Sequence, residues 1–419
     1  MNKPLILKLA DLYPAVEMET KRARFEKAIA VYKKHFNARS KKNIRLFSVP
    51  GRTEVGGNHT DHNGGKVLAA SLSLDIIAVV EPCETMDVVV KSEGFDENSV
   101  NIESLDVVPE ERNTSEALIR GVAAGFVKAG YSIGGFKAYT TSEVLLGSGM
   151  SSSAAFTVMI GTVFSYLYND GQIDPLKIAK ISQKAENEYF GKPCGLLDQM
   201  ACASGGFIEI DFKDETAPSI IKVKVDWSDF GHDLCIINTG GSHHNMTDEY
   251  AAIPGEMHSI ASFFGVKTLR HIARKDIMLN INLLRKQYGD RAVLRALHFF
   301  EENNRVDRLI HALENSDFDH FLSYINESGD SSFKYLQNIY SAGDIKSQPL
   351  AVALNVAEYV LGGKGACRVH GGGFAGTVQA FVPHDMLKMF KFNLEKIFGT
   401  GSCYVLSVRD HGCVEVRLD

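Results

Sequence analysis

The sequence predicts an α/β (α+β) protein of two domains. Three observations carry this. The chain has 419 residues, more than a single hydrophobic core usually supports. Its 45% apolar and 23% charged residues lie in the ordinary globular range. Short runs rich in β-branched and aromatic residues alternate with longer segments of helical spacing. No fixed-period repeat, coiled-coil heptad or low-complexity tract is present.

Taken in order, Phe25, Ile29, Tyr32 and Phe36 recur at helical intervals within 15–36, so this segment reads as an amphipathic helix with no catalytic role. Arg45 to Val49 reads as a strand running into Pro50-Gly51, and 74–81 and 86–91 read as strands. A helix is expected over 114–129, a strand over 136–145, and a buried helix over 151–167 behind the break at Gly147 to Met150. Another helix spans 175–189 with Asp174 as its cap. A strand follows over 207–212, then the polar stretch Lys213 to Ser219. That stretch suggests a division into 1–215 and 216–419. Beyond it come a short strand at 234–238, a helical region over 247–325, and a tail with strands at 377–381 and 403–408 flanking a helix at 387–397.

The formal net charge of −6 argues against a nucleic-acid footprint. Seven cysteines without a CxxC pair read as free thiols in a reducing compartment. The first 25 residues carry charges throughout, and no later stretch reaches membrane-spanning length without them. The expectation is a cytoplasmic protein without membrane partners. Its oligomeric state is not legible.

Two glycine-rich segments carry chemistry. In Gly147-Ser148-Gly149-Met150-Ser151-Ser152-Ser153-Ala154-Ala155, glycines allow close backbone approach, and serine hydroxyls and N–H groups precede a helix. This suits a polyphosphate, and it also suits a simple helix cap. It is neither a Walker A loop nor a dinucleotide fingerprint. The second segment, Pro50-Gly51-Arg52 followed by Gly56 to Gly65, crowds polar side chains between glycines. It is either a solvated loop or a site for a hydroxyl-rich ligand, with Asp61 accepting from hydroxyls and Arg52 steadying an anion. His59 and His62 lack a third zinc ligand nearby.

These segments resemble the GHMP small-molecule kinase superfamily, and within it the galactokinase family. Pro50 to Gly65 is similar to its signature, Gly147 to Ala155 to its phosphate loop, and Glu186 through Gly195 to Asp198-Gln199-Met200 to the segment with the catalytic aspartate. Gly365 to Gly376 is similar to its C-terminal glycine motif. Smaller echoes occur at Arg295 to His298 with Glu302 and Arg305, and at Asn326-Glu327-Ser328. Four motifs in order over more than 300 residues make coincidence untenable.

The resemblance implies an N-terminal ribosomal-protein-S5-like domain and a C-terminal ferredoxin-like domain with helical additions, with substrates between them. It implies Asp198 beside the hydroxyl to be phosphorylated, and Arg52 paired with it near the transferred phosphoryl group. It implies Asn58, His59, Asp61, Gly195 and Tyr250 around the sugar. Gly147, Gly149, Ser151, Ser152, Ser153 and Ala154 would surround the nucleotide, and Ser153 and Glu186 the magnesium ion. ATP and Mg²⁺ are the implied cosubstrate and cofactor, and the C1 hydroxyl of D-galactose the implied acceptor.

The chain also departs from the signature. Asn58 replaces a glutamate associated with a terminal sugar hydroxyl, His62 replaces a tyrosine, and Thr53 and Glu54 differ. In the glycine motif, His370 stands for threonine and Ala375 for glycine. Asn58 removes a charge-assisted bond worth about 1.5–3 kcal/mol, against about 0.5–1.5 for a neutral one. L-arabinose and galacturonate are therefore alternative acceptors, and a non-catalytic sugar or nucleotide sensor is an alternative of another class.

Overall fold

The computed structural model describes residues 5–38, 43–144, 151–192, 194–214, 217–225, 227, 229–241 and 246–418. Among them, the larger sheet has nine strands. Hydrogen-bonded neighbours run in the order Ile6–Lys8, Val414–Arg417, Arg45–Gly56, Lys66–Pro82, Phe136–Ser142, Asp87–Ser92 and Glu97–Asn101. The hairpin Phe207–Asp211 and Ser219–Val223 attaches to the first half of Lys66–Pro82. The sheet is buried on both faces. One face carries Ser115–Lys128, Ser152–Tyr168, Pro175–Lys184 and Leu197–Ser204 over the main apolar core. The other carries Met18–Phe36, which buries Phe25, Ala28 and Tyr32. This double burial explains why Lys66–Pro82 reads as a nearly continuous apolar run.

A second sheet has the order Ala366–His370, Thr377–Pro383, His232–Asn238 and Cys403–Leu406, antiparallel throughout. With Pro349–Leu361 and Leu387–Phe398 packed on it, the chain runs β-α-β-β-α-β, the ferredoxin-like arrangement. The helices Thr247–Phe263, Arg274–Tyr288, Asp290–Glu314 and Phe318–Ser331 are inserted after its first strand.

The position between residues 215 and 216 falls inside the hairpin Phe207–Asp211/Ser219–Val223, and Val414–Arg417 returns to the larger sheet. The larger sheet therefore draws strands from both sides of the expected division. The strand expected over 45–49 continues to Gly56, and the one over 74–81 begins at Lys66. All seven cysteines are free, five of them buried. Among the described residues, no helix is long and apolar enough to cross a membrane.

Candidate active site

The strand Arg45–Gly56 loses its regular register between Pro50 and Arg52. Proline offers no N–H to the ladder, and such irregularities re-aim side chains beside functional sites. Arg52 emerges there almost fully buried. Its Nε donates to Oδ1 of Asp198 at 2.7 Å, in the first turn of Leu197–Ser204. The other Asp198 oxygen accepts from the Ser151 hydroxyl. Burial pushes the Asp198 carboxyl up, but the Arg52 charge and the bonds from Arg52 and Ser151 outweigh it and hold it below the usual aspartate range.

Ser151 has φ 57°, a left-handed conformation uncommon for a residue with a Cβ. It turns the chain into the helix Ser152–Tyr168, whose first N–H groups have no intrahelical acceptor. Ser152 and Ser153 sit at that end. The Ala154 methyl lies in the core, leaving only its backbone N–H for an anion. The expected Gly147 and Gly149 lie outside the described residues.

The helix Pro175–Lys184 is capped by Asp174, whose side chain accepts from the N–H of Leu176. It then widens into a π turn over Ala185–Phe190. This turn places the buried Glu186 against the start of the helix Ser152–Tyr168. Its Oε2 accepts from Ser153 Oγ at 3.2 Å, and its Oε1 from Gln199 Nε2 at 2.9 Å. Burial raises the Glu186 carboxyl more than Lys192, 4.0 Å away, and Gln199 lower it. A buried carboxylate with one distant cation and a neighbouring hydroxyl is a hard-oxygen donor set, which fits Mg²⁺.

Beside Ser152 and Ser153 opens a cavity of about 270 Å³ lined by Ile76, Phe95, Leu118, Val144 and Phe156. Its walls, which also include Ser92, Glu93, Asn98 and Asn113, come from segments separated along the chain, so no local pattern announces it.

Asp61 lies in the short turn Asp61–Asn63. Its carboxyl is raised, chiefly by burial. His59 and the N–H of His62 pull it down, while the charges of Glu54 and Asp198 push it up. A Cβ at Gly195 would lie 2.8 Å from Asp61 Oδ2, so this glycine is what admits the carboxylate beside Asp198's helix. His59 Nε2 and the Tyr250 hydroxyl donate to the carbonyls of Gly372 and Gly373, at 3.0 and 2.7 Å. His59 thereby joins the C-terminal glycine motif to the signature, and Tyr250 joins it to the helix Thr247–Phe263. Ala375 is absent from the positive-φ residues of this motif, which are Gly371, Gly373, Phe374 and Gly376, so its methyl is accommodated.

Asn58, expected at the sugar, is instead a junction within the protein. Nδ2 donates to Glu54 Oε1 at 2.9 Å and to the Gly371 carbonyl at 2.8 Å. Oδ1 accepts from Asn338 Nδ2 at 2.9 Å and Ser332 Oγ at 3.3 Å. Two donors and two lone pairs are an amide's whole capacity, and only 1% of the residue is exposed. No polar atom remains for a ligand. Apart from Glu54, four residues back, the partners lie 274 to 313 residues further along, where nothing near Asn58 in the sequence signals them.

The smaller echoes form the floor of this loop. Glu302 Oε1 accepts from the N–H of Gly57 at 3.1 Å and from Ser328 Oγ at 2.6 Å, and Oε2 pairs with Arg305. Burial would raise the Glu302 carboxyl, but Arg305, His298 and Arg368 bring it down to about 2. His298, pushed to about 4 mainly by burial, donates from Nε2 to the Asn58 carbonyl at 2.9 Å. His62 and His370 are likewise driven low by burial, His370 to about 3. Among the described residues, no cluster of three or more His, Cys, Asp or Glu side chains could hold a metal ion.

Comparison with known proteins agrees with this architecture. Residues 117–206 match the model of the GHMP kinases N terminal domain, and residues 30–82 the galactokinase galactose-binding signature. The galactokinase of Glaesserella parasuis is 28% identical over 389 residues, covering 91% of this chain and 96% of that protein. The galactokinase of Thermotoga petrophila is 29% identical over 78% of this chain and 87% of its own length. Among solved structures, Lactococcus lactis galactokinase complexed with galactose superposes with a TM-score of 0.77 at 24% identity, over 92% of this chain and 98% of that one. A mevalonate kinase superposes at 0.62 with 15% identity, over 87% and 99%. The chain has the two-domain α/β GHMP kinase fold, with galactokinase-like homologues at low to moderate identity.

Proposed function

We propose that the protein is a sugar 1-kinase of the galactokinase type, transferring the γ-phosphoryl group of ATP to the C1 hydroxyl of D-galactose. The products are galactose 1-phosphate and ADP. The observation that carries the reading is the Arg52–Asp198 pair at 2.7 Å, set between the phosphate-loop helix and the signature loop. The names of the relatives support the choice of sugar.

Phosphoryl transfer needs an in-line hydroxyl and compensation of charge on the phosphoryl oxygens. In this reading the acceptor hydroxyl donates to Asp198. As its oxygen bonds to phosphorus and the bond to the ADP oxygen breaks, the hydroxyl proton passes to the carboxylate. The low basicity of Asp198 suits a loose transition state, in which that proton moves late and the carboxylate mainly orients the hydroxyl. Arg52 meets the transferring group, where a fixed cation is worth most. Ser151 holds the carboxylate's second oxygen. The N–H groups opening Ser152–Tyr168 receive phosphate oxygens, and the apolar cavity beside Ser152 takes the nucleoside. Ser153 and Glu186 would hold Mg²⁺, which neutralises phosphate charge when bound. Asp61, beside Gly195, accepts from the sugar's hydroxyls, and Tyr250 and His59 hold the glycine motif against it.

The test is Mg²⁺- and ATP-dependent turnover against galactose, L-arabinose, galacturonate, glucose and N-acetylgalactosamine. The expected result is a clear preference for galactose in kcat/KM. A higher value for another sugar would overturn the substrate assignment, and binding of sugar without turnover would overturn the enzyme assignment.

A further inference from the structure

We infer that Glu54 is a sugar-contacting, specificity-determining residue, whose Oε2 accepts a hydrogen bond from a substrate hydroxyl in place of a carboxylate at position 58. The inference rests on the sugar-kinase reading above and deepens it.

Three geometric facts lead here. First, Arg52, Thr53 and Glu54 pair in unbroken register with Ser71, Ala70 and Ala69. Alternation along a strand therefore sends Arg52 and Glu54 to the same face, and Arg52 on that face reaches Asp198. Second, Glu54 is held at one oxygen only. Its Oε1 accepts from Arg368 Nη2 at 2.8 Å and from Asn58 Nδ2 at 2.9 Å. Arg368 is fully buried and anchored by a second bond, from Nη1 to the Val55 carbonyl at 2.8 Å. Oε2 has no protein partner among the described residues, yet is not among the buried unpaired atoms, and the side chain keeps 12% exposure. Third, the Asn58 amide is fully bonded within the protein, and Glu54, one of its partners, is the neighbouring acceptor with an open oxygen.

A carboxylate with one oxygen clamped and the other open is a preorganised acceptor. Glu54 shares its strand face with Arg52, which holds Asp198. A carboxylate there accepts from neutral hydroxyls and opposes an acidic sugar, so galacturonate falls below galactose.

The experiment measures kcat/KM and calorimetric sugar affinity for the wild type and Glu54→Gln. The ligands are galactose and its 2-, 3-, 4- and 6-deoxy analogues. Glu54→Gln keeps the shape and weakens a charge-assisted bond to a neutral one, so kcat/KM for galactose should fall about tenfold. One deoxy analogue should lose its penalty relative to galactose in the variant, while the KM for ATP stays unchanged. Equal loss on galactose and every deoxy analogue would mean that Glu54 acts only by supporting Arg368, and would overturn the inference. Should Glu54→Gln fail to fold, Glu54→Asp gives the same readout with the acceptor withdrawn by one methylene. A wild type that binds sugars without turnover sinks the kinase reading alone, since the calorimetric ratios still report on Glu54. A wild type that binds none of them sinks both.

Discussion

The two ends of the signature loop are built on opposite principles. Around Arg52, among the described residues, the Asp198 carboxylate, the Ser151 hydroxyl and the start of the helix Ser152–Tyr168 come together. Around Asn58 the polar groups are nearly all used within the protein, by Glu302, Arg305, His298, Asn338 and the glycine motif. On the proposed kinase reading, the first arrangement provides the chemistry. The second fixes the position of the first, by tying the loop to helices Asp290–Glu314 and Phe318–Ser331. A substitution at the Arg52 end should therefore change rate, and one at the Asn58 end should change stability.

The largest effect expected is at Asp198. Asp198→Asn should lower kcat by about 10³-fold, within the range for losing a positioned proton acceptor, while calorimetric sugar affinity changes only a few-fold. A kcat within tenfold of the wild type would dissolve the contrast between the two ends. Next comes Arg305→Met, which leaves the buried Glu302 carboxylate unpaired. It should destabilise the protein by about 3–5 kcal/mol in denaturant unfolding and leave kcat of the folded protein nearly intact. Loss of kcat without loss of stability would reverse its assignment.

Gly195→Ala should raise the KM for galactose by roughly tenfold, because the new methyl meets the tip of Asp61 and misplaces an orienting group. The KM for ATP should not move. The smallest effect is that of pH. His298 and His370 are held neutral down to about 4 and about 3, whereas the unfolded chain's histidines take up protons near 6.5. Their contribution is complete above pH 6.5 and is lost as pH falls toward those lower values. Glu302, lowered to about 2, adds a further loss below its unfolded value near 4.5. The melting temperature should thus decline steadily from pH 7 to pH 4; a flat profile would show that these groups are hydrated in solution.

Much of this was legible in the chain's local patterns. The helix Ser152–Tyr168 follows from its small, apolar composition, and Asp174 and Pro175 announce the start of the next helix. Thr377–Pro383 and Leu387–Phe398 follow from alternation and helical spacing respectively. The Arg52–Asp198 partnership was implied only through the family resemblance, since 146 residues separate the two. What escaped depends on spatial neighbours that the local pattern does not show. Glu97–Asn101 and Val414–Arg417 are too short and polar to read as strands without their neighbours. The helix Pro175–Lys184 reads as continuing to 189, and its change to a π turn at Ala185 leaves no mark on apolar spacing. The family resemblance places Asn58 at the sugar, and its partners Asn338 and Gly371 are too distant in the sequence to suggest otherwise.

The most direct test of the account is the position of the phosphate in the product. The wild type should be incubated with ATP, Mg²⁺ and galactose carrying ¹³C at C1, and the product read by ¹³C and ³¹P NMR. The account predicts phosphorus coupling at C1, marking phosphate on the anomeric oxygen. Phosphate at C6, or ATP consumption with no phosphorylated sugar, would contradict it.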